Sequence, residues 1–408
     1  MEETKKQKSV IYVGDFDLRN QNVQAHLVRN NAKILNRLGF RVAFIGVNRE
    51  ATYEEIDNLP KLDVGEGNLS LEVENTLTTK GILKYKETAN RILNFMDVVA
   101  EASDVQFVIS YQSPTYALIL KKIAKWCVKN RAKYIVNCAD IPVLTAQPLI
   151  RRVVMTWNWN CLHKINKKTA NGVVAVSRYI ERFYHNDNVP SVIIPPLFDD
   201  YIEGEFDLAE CPTFVYAGTP FILKENVKPV GMKDRLDIIV DLFLQISALD
   251  VKYQLMVIGI SKEQYTKCIP RHKNDLINNT DIIFMGRLPH QDTIQAVKNA
   301  DYMINYRDIN IMNEAGLSTK LVESVSLGTP VVMNSVGDSF LYIREGVTGF
   351  ELSGDSEQDI ATLISLCCKT VDERKSLKSN CVGDRTFALN KYEEKFKNFL
   401  EKVLLNKN

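Results

Sequence analysis

No apolar run in this 408-residue chain approaches the roughly 18 residues that a membrane-spanning helix needs. The opening Met-Glu-Glu-Thr-Lys-Lys-Gln-Lys offers no apolar signal segment, so a cytoplasmic protein is expected. Eight cysteines are scattered without metal-ligand spacing, and only Cys367 and Cys368 adjoin. That usage argues against a disulfide framework and suits a reducing compartment. No low-complexity tract and no nucleic-acid-binding motif is present, so nucleic acid is not expected as a partner. The first strand is followed by a single glycine, Gly14, which excludes a Gly-x-Gly-x-x-Gly dinucleotide site. Nor does any carboxylate cluster resemble a metal site, so no metal and no cofactor is expected.

What is present is globular: 45% hydrophobic and 25% charged residues, in a chain too long for one ordinary core. A net charge of +1 conceals an asymmetry. Through residue 195 there are 27 Lys and Arg against 19 Asp and Glu; beyond it, 24 against 31. A basic first half suits an anionic partner, a membrane surface or a lipid-diphosphate acceptor better than nucleic acid.

Strand and helix patterns alternate along the chain, which predicts an α/β fold with parallel sheets. Val10–Gly14, a helix over Val23–Leu38 stopped by Gly39, and Arg41–Val47 form the opening βαβ unit. Asn20, Gln21 and Asn22 at the start of that helix are caps or polar contacts. Residues 50–85 read as loop-rich. Val105–Ser110, with Tyr111-Gln-Ser-Pro beyond it, and Lys133–Cys138 are further strands; the second ends in Asn137-Cys-Ala-Asp140-Ile-Pro. Leu149–Lys168 mixes tryptophans with basic residues. It reads as a core helix with its tryptophans inside and a solvated basic end; the alternative is a helix lying on anionic lipid through Arg151, Arg152, Lys164 and Lys168. Pro195, Pro196 and the acidic 199–205 stretch mark a linker. Thr213–Ala217 then opens a second domain and ends in Gly218-Thr219-Pro220, before a helix over Lys233–Ser247.

The most informative stretch runs from Asn313 to Ser335 and reads as loop, short helix, tight stop and buried strand. Ser318 is placed to cap the helix, Thr319, Lys320 and Glu323 occupy its first turn and a half, and Gly328 stands where a left-handed residue is wanted. A helix N-terminus with free amides, hydroxyls and a lysine is a seat for a diphosphate. Lys320 and Glu323, three apart, share a face, so a carboxylate one turn on can accept hydrogen bonds from both ribose hydroxyls.

The run Gly316-Leu-Ser-Thr-Lys-Leu-Val-Glu323-Ser, four residues, then Gly328-Thr-Pro-Val-Val resembles the donor segment of retaining glycosyltransferases of family 4, close to bacterial surface-polysaccharide members. The resemblance implies the GT-B fold: two facing Rossmann-like doubly wound domains with a cleft between them, residues 1–197 on the acceptor side and 198–385 on the donor side. It also implies that a helix over 386–408 crosses back to the first domain. The implied donor site comprises Gly218, Thr219, Lys233, Arg307, Gly316, Leu317, Ser318, Thr319, Lys320 and Glu323, with Lys224 and Lys228 as alternates to Lys233. Asp140 is the implied acceptor-side catalytic group and Glu323 the donor-side one. Two departures stand out: Ala315 replaces the motif's first glutamate, with Glu314 one residue upstream, and Ala139 replaces a basic residue before Asp140.

The expected function is retaining transfer of a sugar from a nucleotide diphosphate sugar, a UDP-sugar by preference, to a glycan or polyprenyl-diphosphate-linked acceptor, without a metal. The rival readings are a GT-B sugar-nucleotide epimerase or hydrolase, and a catalytically silent GT-B subunit.

Overall fold

The computed structural model describes residues 6–19, 23–56, 58–75, 79–111, 117–141, 149–198, 206–221, 223, 227–228 and 232–406. Asn20, Gln21, Asn22, the Gln-Ser-Pro after Tyr111, Pro142, the 199–205 linker, Lys224 and the Arg151 side chain lie outside the described residues. The chain divides into two units, Met1–Leu197 with Leu389–Asn408, and Phe198–Ala388.

The first unit is built on a seven-stranded parallel sheet. Its strands are β1 (Lys8–Gly14), β2 (Arg41–Asn48), β3 (Leu69–Glu74), β4 (Asp104–Tyr111), β5 (Lys133–Cys138), β6 (Gly172–Ala175) and β7 (Ser191–Ile193), in the order β3-β2-β1-β4-β5-β6-β7. Runs such as Val10–Val13 and Val42–Ile45 are apolar on both faces because helices cover both sides of a parallel sheet. β3 corrects the loop-rich reading of residues 50–85. It pairs with β2 from Ala43↔Leu69 to Asn48↔Glu74. As an edge strand it is mostly half-buried, so Leu-Ser-Leu-Glu-Val-Glu lacks the long apolar signal of its neighbours. Ser177 caps the helix Arg178–Phe183, accepting from the Ile180 amide at 3.3 Å.

The helix Leu149–Thr169 departs from a core helix. Its second half is anchored by buried Leu162, His163 and Asn166, but Leu149, Ile150, Val153, Val154 and Trp157 are exposed, Trp157 by 47%. These five residues keep helical spacing and share one face, so they form an apolar stripe that lies exposed rather than turned into a core. The last helix, Asn390–Leu405, starts later than Thr386, and Arg385, left-handed at φ 46°, closes the preceding helix Val371–Asp384. It packs within the first unit, Val403 and Phe399 lying so close over Gly172 that a side chain there would meet Val403 at 2.6 Å.

The second unit carries a six-stranded parallel sheet: β8 (Thr213–Ala217), β9 (Gln254–Ile258), β10 (Ile282–Gly286), β11 (Tyr302–Asn305), β12 (Val331–Asn334) and β13 (Gly349–Leu352), ordered β10-β9-β8-β11-β12-β13. Alternation sorts each strand between two cores. Phe214, Tyr216, Tyr302, Ile304 and Val332 join the core that includes the helix Leu236–Ser247. Val215, Ala217, Met303, Val331 and Met333 join the core beneath the helix Thr319–Ser326. Strand order reverses between β8 and β11, and open α/β sheets bind ligands beyond the carboxyl ends of their strands at that point. No helix among the described residues is long and apolar enough to cross a membrane.

Candidate active site

At the carboxyl ends of β8, β11 and β12, three side chains converge on one carboxylate. Asp234 is fully buried. Lys320 Nζ donates to its Oδ2 at 2.7 Å, Arg307 Nε to its Oδ1 at 2.8 Å, and the Tyr216 hydroxyl to Oδ2 at 3.0 Å. Burial alone would raise the Asp234 carboxyl, but Lys320 and Arg307 override it and hold the group far below the usual carboxylate range. Burial and the neighbouring Asp234 charge push the Tyr216 phenol well above its ordinary value, keeping it a neutral donor.

The backbone explains why these groups meet. The Lys233 and Asp234 amides both donate to the Pro220 carbonyl, at 3.0 and 3.2 Å, and the Arg235 amide donates to the Tyr306 carbonyl at 2.8 Å. This stitching keeps residues 233–235 out of the helix, which begins at Leu236 rather than Lys233. Arg307 is fixed by a reciprocal amide pair: its N–H donates to Asn334 Oδ1 at 2.9 Å and its carbonyl accepts from Asn334 Nδ2 at 2.7 Å. Lys320 reaches Asp234 by passing over Gly218 (φ +142°), where a Cβ would lie 2.7 Å from Lys320 Cε. Only glycine leaves that path open.

The helix Thr319–Ser326 stops as expected, with Gly328 left-handed at φ +74° against Phe206 and Val382. Its start corrects the expectation for Ser318. The residue occupies the cap position but makes no side-chain cap bond; its hydroxyl instead accepts from Asn305 Nδ2 at 3.4 Å. The first-turn amides thus receive no side-chain cap, as an anion seat requires. The start of the 313–335 stretch, read as loop, belongs instead to a short helix, Ile311–Ala315, which Asn310 caps through the Asn313 amide at 3.0 Å. Gly316 ends that helix, and Leu317 is buried in the core between the two.

Glu323 lies one turn beyond Lys320, half-buried, and no described residue donates a hydrogen bond to its carboxylate. Burial raises its carboxyl above the ordinary value, offset in part by Lys320. Beyond the Asp234 contact, Lys320 has two ammonium hydrogens, and Arg307 both its Nη groups, that no described side chain accepts. Lys233 is exposed in the loop beside Asp234, close enough to help lower its carboxyl. Thr219 is exposed after Gly218, and Lys228 is exposed as well. Ala315 is fully buried and Glu314 half-buried, with Gly337 against the Glu314 backbone.

Asp140 belongs to the first unit, exposed just beyond β5. Its charge reaches Asp15, which follows β1 and pairs with Arg49 at 2.6 Å, and Tyr111 at the end of β4. Burial chiefly, and Asp140 in smaller part, raise the Asp15 carboxyl. Asp140 therefore stands at the first sheet's own switch point, between β1 and β4 with β5 beside them. Among the described residues no group of three His, Cys, Asp or Glu side chains is arranged to hold a metal ion.

Sequence reasoning missed Asp234, Tyr216, Asn305 and Asn334. The available signals were Asp234's place beside Lys233 and the strand-terminal positions of the other three.

Residues 228–369 match the family described as "Glycosyl transferases group 1". No curated protein sequence matches the chain. Among solved structures, HepE from Anabaena, in complex with UDP and glucose, is similar at 13% identity and TM-score 0.62, over 96% of this chain and 99% of that one. Sucrose-phosphate synthase from Thermosynechococcus elongatus is similar at 14% identity and TM-score 0.64, over 97% and 99%. The lipopolysaccharide outer core galactosyltransferase WaaB, in its apo form, is similar at 14% and 0.59, over 97% and 99%. The fold is that of the GT-B glycosyltransferases. Every donor-side residue named above from Lys233 to Glu323 falls inside the segment 228–369 that matches the group 1 family.

Proposed function

We propose that the protein is a retaining glycosyltransferase that moves a sugar from a UDP-sugar to a glycan or lipid-linked acceptor. The observation that carries this reading is that Lys320 and Arg307 are brought together on Asp234 while Glu323 lies one turn beyond Lys320, its carboxylate accepting no hydrogen bond from a described residue. The two cations, the exposed Lys233 and the amides of the Thr319–Ser326 helix take the diphosphate; Glu323 takes the ribose hydroxyls. As the bond to the anomeric carbon breaks, charge grows on the leaving phosphate. Cations and amides placed in advance stabilise it, so the reaction needs no metal. UDP is favoured as the nucleotide because the similar HepE and pneumococcal GtfA structures hold UDP with glucose or GlcNAc.

On the first unit, Asp140 orients or deprotonates the acceptor hydroxyl. The exposed apolar residues of the Leu149–Thr169 helix, beside the exposed Arg152, support contact with an anionic membrane surface that would present a lipid-linked acceptor. A second reading, a nucleotide-binding subunit without transfer, is favoured by Ala315 and Ala139, which supply neither the carboxylate nor the base of the family pattern.

Calorimetric titration with UDP-glucose, UDP-galactose and UDP-GlcNAc tests the donor assignment. Lys320→Ala should lose at least tenfold in affinity for whichever binds, about 1.4 kcal/mol. Wild-type affinity in that variant would remove the site. Release of UDP with glycosylation of a membrane-lipid or glycan extract separates the transferase from the silent subunit.

A further inference from the structure

Lys320 and Arg307 are already engaged before any diphosphate arrives, and with the same carboxylate. Among the described residues Asp234 is the one acid in ion-pair contact with either. The side chain is fully buried, three donors share its two oxygens, and its backbone is pinned on both sides by the Pro220 and Tyr306 carbonyls. The buried Arg374 and Lys378 offer a contrast. They spend their donors on the Ala209, Glu210 and Ala300 carbonyls and on Asp301 and Thr329, around the amino ends of β8, β11 and β12, and so serve the fold. The Asp234 cluster lies at the carboxyl ends, where the ligand binds.

We infer that Asp234 is a positioning residue for the donor diphosphate: it anchors Lys320 and Arg307 through one N–H donor each and leaves their remaining donors for phosphate oxygens. The inference rests on the donor reading above. Two cations and one buried anion leave a single net positive charge facing the diphosphate. Without Asp234 the two cations would repel one another in a site with little solvent, and the long Lys320 chain would have to be ordered during binding. Ordering it beforehand takes that entropy out of the binding step.

The test uses the full chain and UDP itself, titrated calorimetrically into Asp234→Asn, Lys320→Ala and the double variant, with uridine as the ligand that lacks the diphosphate. Each single variant should lose about tenfold for UDP. The double variant should fall well short of the hundredfold loss that independent action gives. Uridine affinity should stay within about twofold throughout, whereas a merely structural collapse would lower it in parallel. A full hundredfold loss in the double variant, or wild-type UDP binding in Asp234→Asn, would overturn the inference. Wild-type UDP binding in Lys320→Ala would instead defeat the donor reading beneath it. Where Asp234→Asn alone does not fold, Lys320→Met/Arg307→Met is compared with Asp234→Asn/Lys320→Met/Arg307→Met, which removes both ion pairs whole. Equal UDP affinities within about threefold support the anchoring role, and a further tenfold loss refutes it.

Discussion

Glu323 should act on nucleotide binding and on stability in opposite directions. In the free protein its carboxylate is half-buried, accepts no hydrogen bond from a described residue and has its proton affinity raised by burial. Replacing it with alanine removes a desolvated charge and supplies a better helix former, so Glu323→Ala should leave stability unchanged or raise it by up to about 1 kcal/mol. With UDP bound, the same carboxylate accepts from two ribose hydroxyls. Hydrogen bonds to a charged group contribute roughly 1.5 kcal/mol each, so the variant should lose about 2–3 kcal/mol, on the order of 30- to 150-fold in affinity. Titration with UDP and 2′-deoxy-UDP separates this from a general weakening: the wild type should discriminate between them by about tenfold, and Glu323→Ala not at all. The pH dependence follows from the raised carboxyl. Between its unfolded value and the higher folded one, the native state holds more protons, so this group's contribution to stability declines as pH rises through that window. Nucleotide affinity, which needs the carboxylate, should strengthen over the same rise. A variant at least 2 kcal/mol less stable that still discriminates the 2′-hydroxyl would refute the reasoning and make Glu323 a structural residue.

Other outcomes follow from the same geometry. Gly218→Ala puts a Cβ 2.7 Å from Lys320 Cε and should reduce UDP affinity at least tenfold, as Lys320→Ala does, measured by the same titration. Burial lowers Lys378 to about 7 despite the nearby Asp301. The unfolded chain therefore binds more protons above that pH, and stability should rise from pH 7 towards 10 by up to about 1.4 kcal/mol per unit. Urea unfolding of Lys378→Met should flatten that rise. Asp140→Asn should cut transfer at least tenfold while UDP binding stays at the wild-type level. Changing Leu149, Ile150, Val153 and Trp157 together to serine should weaken sedimentation with phosphatidylglycerol vesicles at least fivefold; unchanged sedimentation would end the membrane assignment.

The alternation of elements was legible because central parallel strands are covered on both faces and leave unbroken apolar runs such as Val-Ile-Tyr-Val and Val-Ala-Phe-Ile. β3 was not, since an edge strand is buried on one side and its alternation sits in a polar stretch. The helix stop at Gly328 could be read from conformational preference alone. The behaviour of Ser318 could not: a serine at a cap position has two partners to choose from, and Asn305, 13 residues upstream, takes its hydroxyl. The motif placed Lys320 and Glu323 on one face because that depends only on helical spacing. Asp234 was out of reach because its importance lies in a contact across 86 residues to Lys320 and 73 to Arg307, made possible by loop bonds that no local pattern encodes.

The most direct test of the central claim is a thermal-shift panel of UDP, GDP, ADP and CMP with their common sugar conjugates, run on the wild type and on Glu323→Ala. A ligand that binds only the folded state raises its melting temperature by mass action. A uridine diphosphate site predicts a clear upward shift with UDP and one or more UDP-sugars, little with the other bases, and loss of that shift in Glu323→Ala. No shift with any nucleotide, or an equal shift in the variant, would contradict the assignment.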